Sequence, residues 1–283
     1  MTDQTIPPLC VLGSINLDII ARTHRLPGPG ETVGDGVLSF QPGGKGGNQA
    51  AAAARLGSRV RMIGAVGDDD SGRQVIASLA DAGVDVGQIR TVSEPTGTAL
   101  IVVDEGGENQ IAVCPGANGL IRLDDVELGD DEIVLCQLEV DTQLVLETAR
   151  RTAGFFALNA APSKPLPPEL IDRADLVIVN ETERAEIPEL ASARLVAVTY
   201  GGKGAALFRD GRLVASAPAR KVSVVNSIGA GDAFCSALVL ALRSGLSDEE
   251  ALQLACGVGA AAVQDHASQP HFGPLFSYRG TGG

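Results

Sequence analysis

Three short runs in this chain hold residue types suited to moving a charged group onto an alcohol. In Gly229-Ala230-Gly231-Asp232-Ala233-Phe234, small residues precede a helix that should start near Asp232. Small residues let backbone N–H groups approach a ligand closely, and a helix N-terminus adds unpaired donors and partial positive charge. A phosphoryl group in flight would be stabilised at such a turn. Asp232 then stands where it could accept a proton from an attacking hydroxyl, although Asp is also an ordinary first-turn residue. The run Pro42-Gly43-Gly44-Lys45-Gly46-Gly47-Asn48-Gln49-Ala50 offers Lys45 and Asn48 as polar contacts at a strand-to-helix junction. It is not a Walker A loop, because Lys45 is followed by Gly46, and it lacks the GxGxxG spacing. Gly257-Val258-Gly259-Ala260-Ala261-Ala262 does fit GxGxxA, but inside a helical pattern, where close helix packing is the plainer reading. Gly13-Ser14-Ile15-Asn16-Leu17-Asp18 ends the first strand. Ligands of open α/β sheets bind beyond such strand ends. Asn16 and Asp18 could hold sugar hydroxyls there; a plain loop fits the same residues.

These runs need rigid elements behind them. Apolar stretches at 9–12, 59–66, 133–137, 155–159, 176–180 and 195–200 read as strands. Helical spacing covers 49–56, 71–82, 141–152, 232–244 and 248–264, with Gly57 and Gly83 as stops. Strands alternating with helices predict a mostly parallel sheet with helices on both faces. Residues 96–103 and 110–114, joined by Asp104-Glu105-Gly106-Gly107-Glu108-Asn109, carry a β-hairpin signal. With 32–41 they could form a small separate sheet. No internal repeat or linker is evident, and the tail from 273 onward is expected to be loosely ordered.

The chain's 283 residues are 45% hydrophobic and 20% charged, which suits a globular protein with a large core built from Ala, Val, Leu and Ile. A net charge of −13 gives no electrostatic footprint for nucleic acid or an anionic membrane surface. An anionic nucleotide would have to be held by helix ends and backbone amides. The acidic stretch 124–132 reads as solvated surface. Cys10, Cys114, Cys136, Cys235 and Cys256 form neither a CxxC pair nor a Cys/His cluster, so reduced, buried thiols in a cytoplasmic setting are expected. The N-terminus has no signal-peptide pattern and no apolar run is long enough to span a membrane. His24, His266 and His271 lack metal-ligand spacing.

Taken in order, GSINLD, PGPGET, GGKGGNQA, GAVGDDDSG, TGTALIVV, GENQIAVCPGAN, QLE, LNAAP, NETE and SIGAGDAF resemble the ribokinase-like (PfkB-type) carbohydrate kinases over about residues 9–270. The resemblance implies a three-layer α/β/α fold, with a mostly parallel central sheet and a small β-sheet lid. It implies a single kinase domain over 1–283, with lid strands from about 32–41 and 96–114, that pairs into a homodimer through the lid. It implies ATP and Mg²⁺ as partners of a small sugar, and ATP-dependent phosphorylation of D-ribose at its 5-hydroxyl. Asp232 would be the base, and Gly229, Ala230 and Gly231 the anion hole. Asn16, Asp18, Gly44, Lys45, Asn48 and Glu139 would hold the sugar. Asn180 and Glu183 would organise Mg²⁺ and phosphates, largely through water. Thr199, Gly201 and Gly204 would form the nucleotide-binding turn, assisted by Lys203, and residues around Cys256 the adenine pocket.

Two departures stand out. The family usually has Asp-Thr before the last glycine motif, where the Asp helps bind an activating monovalent cation, typically potassium; here Asn226-Ser227 stand instead, followed later by Ala267, Ser268 and His271. Loss of that negative charge predicts weak or absent potassium activation. The segment between Arg184 and Leu195 is also shorter than the family's usual helix. Glu183 and Thr199 bracket it and both match, so the phosphate site is expected to survive. The alternatives to a ribose kinase are a kinase for another small sugar or a nucleoside, or a sugar- or nucleotide-binding regulator without catalysis.

Overall fold

A computed structural model describes residues 5–279 of the chain. Its elements run, in order, Leu9–Leu12 (β1), Asn16–Arg22 (β2), Val37–Gly43 (β3), Lys45–Arg55 (α1), Val60–Gly67 (β4), Asp70–Asp81 (α2), Val84–Val92 (β5), Gly97–Val103 (β6) and Asn109–Cys114 (β7). Then follow Ile133–Gln137 (β8), Thr142–Arg151 (α3), Phe155–Asn159 (β9), Pro168–Arg173 (α4), Leu176–Asn180 (β10), Glu181–Glu186 (α5), Leu195–Thr199 (β11), Ala205–Arg209 (β12), Arg212–Ala217 (β13), Ala230–Arg243 (α6) and Asp248–Ala262 (α7).

Nine strands form one sheet in the order β13-β12-β11-β10-β9-β8-β1-β4-β5, parallel throughout except for the β11-β12-β13 edge. Its strands read as nearly continuous apolar runs because both faces are covered. Leu9 and Val11 of β1, with Ile133 and Leu135 of β8, point into a core shared with α1, α2, α6 and α7. Cys10, Leu12, Val134 and Cys136 alternate into the opposite core, beneath α3 and α4. This is the three-layer α/β/α arrangement the sequence implied.

A second, four-stranded sheet runs β3-β2-β6-β7. The hairpin expected across 96–114 is present as antiparallel β6 and β7. The sheet also takes in β2, whose residues the sequence left as a possible loop. Here Asn16–Arg22 pairs with β3 on one side and β6 on the other, so Asn16 and Asp18 sit on a strand. In-register partners share a face. Asp18, Ile20, Ala99, Ile101 and Ile111 therefore face inward, while Phe40, Ile19 and Leu100 form a row on the outer face.

Three further expectations change. Helix α1 begins four residues before Gln49, because the Glu139 carboxylate accepts from the Lys45 N–H at 2.9 Å and holds the first turn from outside. Gly46 belongs in that turn, since a Cβ there would meet Gly13 and Ser14 backbone atoms at 2.6–2.7 Å. The tail is not loose where it is described: Leu275–Tyr278 forms a 3₁₀ turn, with Leu275 buried and its N–H on the Leu56 carbonyl at 2.9 Å. Cys114 is exposed, while the other four cysteines are buried. Among the described residues, no helix is long and apolar enough to cross a membrane.

Candidate active site

All of the main sheet's nine strands but β12 run in the same direction, so their carboxyl ends share one edge. Gln137, Asn159, Asn180 and Thr199 are each the last residue of a strand there. Register places Asn180 directly opposite Thr199. That is why shortening the segment between Arg184 and Leu195 leaves this edge intact. Helix α5 runs into a 3₁₀ turn at Pro188–Ser192, and Ile187, Leu190 and Ala193 are buried beneath it.

Three cavities open along this edge. The first, about 620 Å³, lies between the two sheets and is lined by Asn16, Asp18, Gly44, Lys45, Asn48, Glu139, Gly229 and Asp232. Every residue expected to hold the sugar lines this one space. The second, about 120 Å³, is lined by Lys45, Asn159, Asn180, Glu183, Thr199, Gly231 and Asp232. The third, about 480 Å³, takes Thr199, Gly201, Gly204, Ala230, Gly231, Phe234 and Cys256. Lys45 and Asp232 border both the first and second cavities. Thr199 and Gly231 border both the second and third. The order is therefore a large polar pocket, a small junction, then a second, more apolar pocket. Lys203, an expected helper at the third cavity, is exposed and is not among its lining residues. Arg220 and Lys221 do line it, basic residues that carried no motif in the sequence.

Asp232 sits in the first turn of α6, after an N-cap Gly229 with φ of 77°. A Cβ on Gly229 would stand 2.1 Å from the Ser268 carbonyl oxygen, so only glycine gives this turn its shape. The first N–H groups of α6 have no partner within the helix and face an anion with the positive end of the helix dipole. Both Asp232 oxygens accept hydrogen bonds: Oδ1 from Gln49 Nε2 at 3.0 Å and Oδ2 from Asn48 Nδ2 at 3.1 Å. Burial holds the Asp232 pKa above the usual carboxylate range, with Lys45 and these two amides pulling the other way. The Lys45 ammonium is half-buried, which opposes its charge; Asp232 and Glu139 outweigh that, and its pKa is raised. Lys45 thus stays cationic at the boundary between the first cavity and the junction.

Asp18 is buried, and its Oδ1 has no hydrogen-bond partner. Burial, then the nearby Glu139 and Asp232 charges, push its pKa up to about 7. Such a carboxylate awaits donors, as sugar hydroxyls are. Glu139 lines the same pocket, yet its Oε2 is already engaged by the Ser14 hydroxyl at 2.5 Å and the Lys45 N–H. It therefore also fixes the glycine-rich turn beside the pocket.

Asn180 and Glu183 form a reciprocal capping box. The Glu183 N–H donates to Asn180 Oδ1 at 2.8 Å, and the Asn180 N–H to Glu183 Oε2 at 2.8 Å. Among the described residues, no group of three or more His, Cys, Asp or Glu could hold a metal. Two carboxylates border the junction, and Asp232 is already engaged by Asn48 and Gln49; Glu183 alone suits a hydrated divalent ion carried in with phosphates, and does not suit a protein cage. Burial raises the Glu183 pKa, opposed by the Asn180 N–H and Lys45. At Asn226 the fit to a monovalent cation fails. Nδ2 donates to the His266 carbonyl at 3.0 Å, and Oδ1 accepts from the Ile228 N–H at 3.1 Å. An amide donor occupies a carbonyl that a cation would need, and the amide's own oxygen is committed.

Residues 7–272 match the model of the pfkB family carbohydrate kinases. A ribokinase of Lactococcus lactis subsp. lactis is 35% identical over 277 residues, covering 92% of this chain and 91% of that one. The fold is also that of a Thermotoga maritima ribokinase, with a TM-score of 0.86, 28% identity, and coverage of 96% of this chain and 98% of the other. An Arabidopsis thaliana ribokinase complexed with ribose and ATP superposes with a TM-score of 0.84 at 29% identity, covering 97% of this chain and 98% of that one.

Proposed function

Because the chain belongs to the pfkB family of carbohydrate kinases, we propose that it transfers the γ-phosphoryl group of ATP to the 5-hydroxyl of D-ribose. One observation carries this reading. A large polar pocket and a somewhat smaller, more apolar pocket meet at a small junction bordered by Asp232, Lys45 and the start of α6. The similar Arabidopsis ribokinase holds ribose and ATP.

In this reading ribose enters the first cavity. Asp18 and Asn16 accept or exchange hydrogen bonds with its secondary hydroxyls, and Gly44 lets the backbone approach closely. The primary hydroxyl points at Asp232, which takes its proton as the oxygen attacks phosphorus. A carboxylate with a raised pKa is a stronger base than a free one, and its hydrogen bonds keep it aimed. Lys45 offsets negative charge as it moves from ATP toward the sugar, and the Gly229-Ala230-Gly231 turn supplies backbone donors to the passing group. Thr199, Gly201, Gly204 and Cys256 line the nucleotide's pocket. Magnesium, when bound with the nucleotide, would neutralise phosphate charge; Glu183, oriented by Asn180, would hold its hydration shell. No step is routed through a potassium ion.

The domain proposal is a single kinase unit in which the second sheet acts as a lid, closing over the first cavity to exclude water. The outer face of that sheet exposes Leu38, Phe40 and Leu100, which favours a homodimer through the lids. Purified protein with ATP, Mg²⁺ and a panel of pentoses, deoxyribose, hexoses and nucleosides, read by ADP release, tests the function. Ribose should give the highest kcat/KM. Preference for another member would reassign the substrate, and no turnover on any would favour a binding regulator.

A further inference from the structure

Both oxygens of Asp232 are met by amides, and each of those amides is held by another. Gln49 is fully buried, and its Nε2 donates to Asp232 Oδ1 and to Asn159 Oδ1, both at 3.0 Å. Asn159 cannot turn its own N–H₂ toward Gln49, because Nδ2 is committed to the Ile178 carbonyl at 3.1 Å. At its other end, Gln49 Oε1 accepts from Gln137 Nε2 at 2.6 Å. On the second oxygen, Asn48 Nδ2 donates to Asp232, while Asn48 Oδ1 accepts from Gln269 Nε2 at 3.3 Å. A glutamine amide can present nitrogen or oxygen, and an oxygen facing a carboxylate is repelled. The outer amides decide which end the inner ones show.

Gln137 bears an unusual cost. It is completely buried, and its Oε1 has no hydrogen-bond partner. That oxygen is pressed against Gly13, where an added Cβ would lie 1.9 Å away. An unpaired buried acceptor destabilises a fold, and an apolar side chain of the same length would avoid it. The cost has a reason if Gln137 Nε2 must face Gln49. Neither Gln49 nor Gln137 lines the sugar pocket, the junction or the nucleotide pocket. Their influence on the reaction runs through Asp232.

Resting on the assignment of Asp232 as the base, we propose that Gln49 and Gln137, with Gln269 behind Asn48, are positioning residues whose buried amide chain holds the Asp232 carboxylate as a fixed acceptor toward the sugar hydroxyl. Donors on a carboxylate favour its ionised form, so removing one raises the pH at which the base becomes competent. The charged and titratable groups around Asp232 stay in place throughout: Lys45 on α1, Glu139 beyond β8, Asp18 on β2, Glu183 on α5 across the junction, and Cys235 on α6 itself.

The test is the pH profile of the single-turnover rate for Gln49→Met and Gln137→Met beside the unmodified enzyme and Asp232→Asn. Methionine keeps the length and loses the amide. For Gln49→Met the acid limb should move up by about one pH unit, so that the rate falls about tenfold at pH values below the limb and recovers above it. The KM for the sugar should stay within about twofold, since Gln49 does not line its pocket. Gln137→Met should shift the limb the same way by less, and it carries the test alone if Gln49→Met does not fold. A folded variant with an unmoved acid limb, or a rate lowered equally at every pH, overturns the amide chain and leaves the base assignment standing. A fully active Asp232→Asn enzyme would instead remove the base assignment on which the chain rests.

Discussion

Replacing Asp18 with Asn should stabilise the ligand-free protein at and above neutral pH while weakening its hold on the sugar. Asp18 is buried, one oxygen is without a partner, and two further carboxylates stand near it. Its pKa rises from 3.8 to about 7, chiefly through burial and then through Glu139 and Asp232. The folded value lies above the unfolded one. The carboxyl is therefore neutral in both states below about pH 4, and the folded state alone resists ionisation as pH climbs toward about 7. Roughly three pH units at about 1.4 kcal/mol each set an upper bound near 4 kcal/mol; water in the open cavity brings the expected difference to about 2 kcal/mol at about pH 8. Asn skips the ionisation. It also replaces two acceptors by one acceptor and one donor, so ribose affinity should fall about tenfold. Urea denaturation of both proteins without ligand, from about pH 4 to 8.5, reads the first effect, and calorimetric titration with ribose reads the second. The stability curves should meet at the acid end and separate as pH rises, with Asp18→Asn the more stable. A variant less stable than the parent at about pH 8, or curves that part only below about pH 4, would show that burial does not raise the Asp18 pKa.

Three other outcomes are expected. Gly229→Ala puts a Cβ into the Ser268 carbonyl and into a left-handed turn, so turnover should drop about 10²-fold with a smaller change in ribose affinity; paired kinetics and titration measure both. Exchanging sodium for potassium should change kcat by less than about twofold, because the Asn226 amide fills the place of a cation, and a several-fold rise would return the cation to the site. Glu183→Gln should raise the Mg²⁺ concentration giving half-maximal rate by about tenfold and leave the KM for ribose unchanged, as a magnesium titration would register.

Much of the fold could be read from the sequence because parallel strands buried on both faces are marked by unbroken apolar runs, as at 133–137 and 176–180. Strand β2 was harder. Its polar Asn16 and Asp18 face a cavity and resemble a loop, and only pairing with β3 and β6 makes them a strand. The start of α1 is set by a tertiary contact that local sequence does not show: Glu139, 94 residues away, caps it. The six residues expected to hold the sugar, together with Asp232, line one cavity, since each lies in a motif with its own local signature. Asn180 and Glu183 carried a further legible signal, the N-x-x-E spacing of a capping box. Gln137 stands in the QLE run with no role legible there, and Gln269 lies in none of the matching runs. Their meaning lies in amide orientation around a buried carboxylate, and side chains 132 residues apart in the chain acquire that only on folding.

The most direct measurement of the account is the single-turnover rate of Asp232→Asn with ribose, ATP and Mg²⁺, taken together with its ribose affinity. Asn preserves the shape of the side chain and removes the base. The rate should fall at least about 10³-fold while the ribose dissociation constant stays within about threefold. An Asp232→Asn enzyme that phosphorylates ribose within about tenfold of the parent rate would contradict the mechanism at its centre.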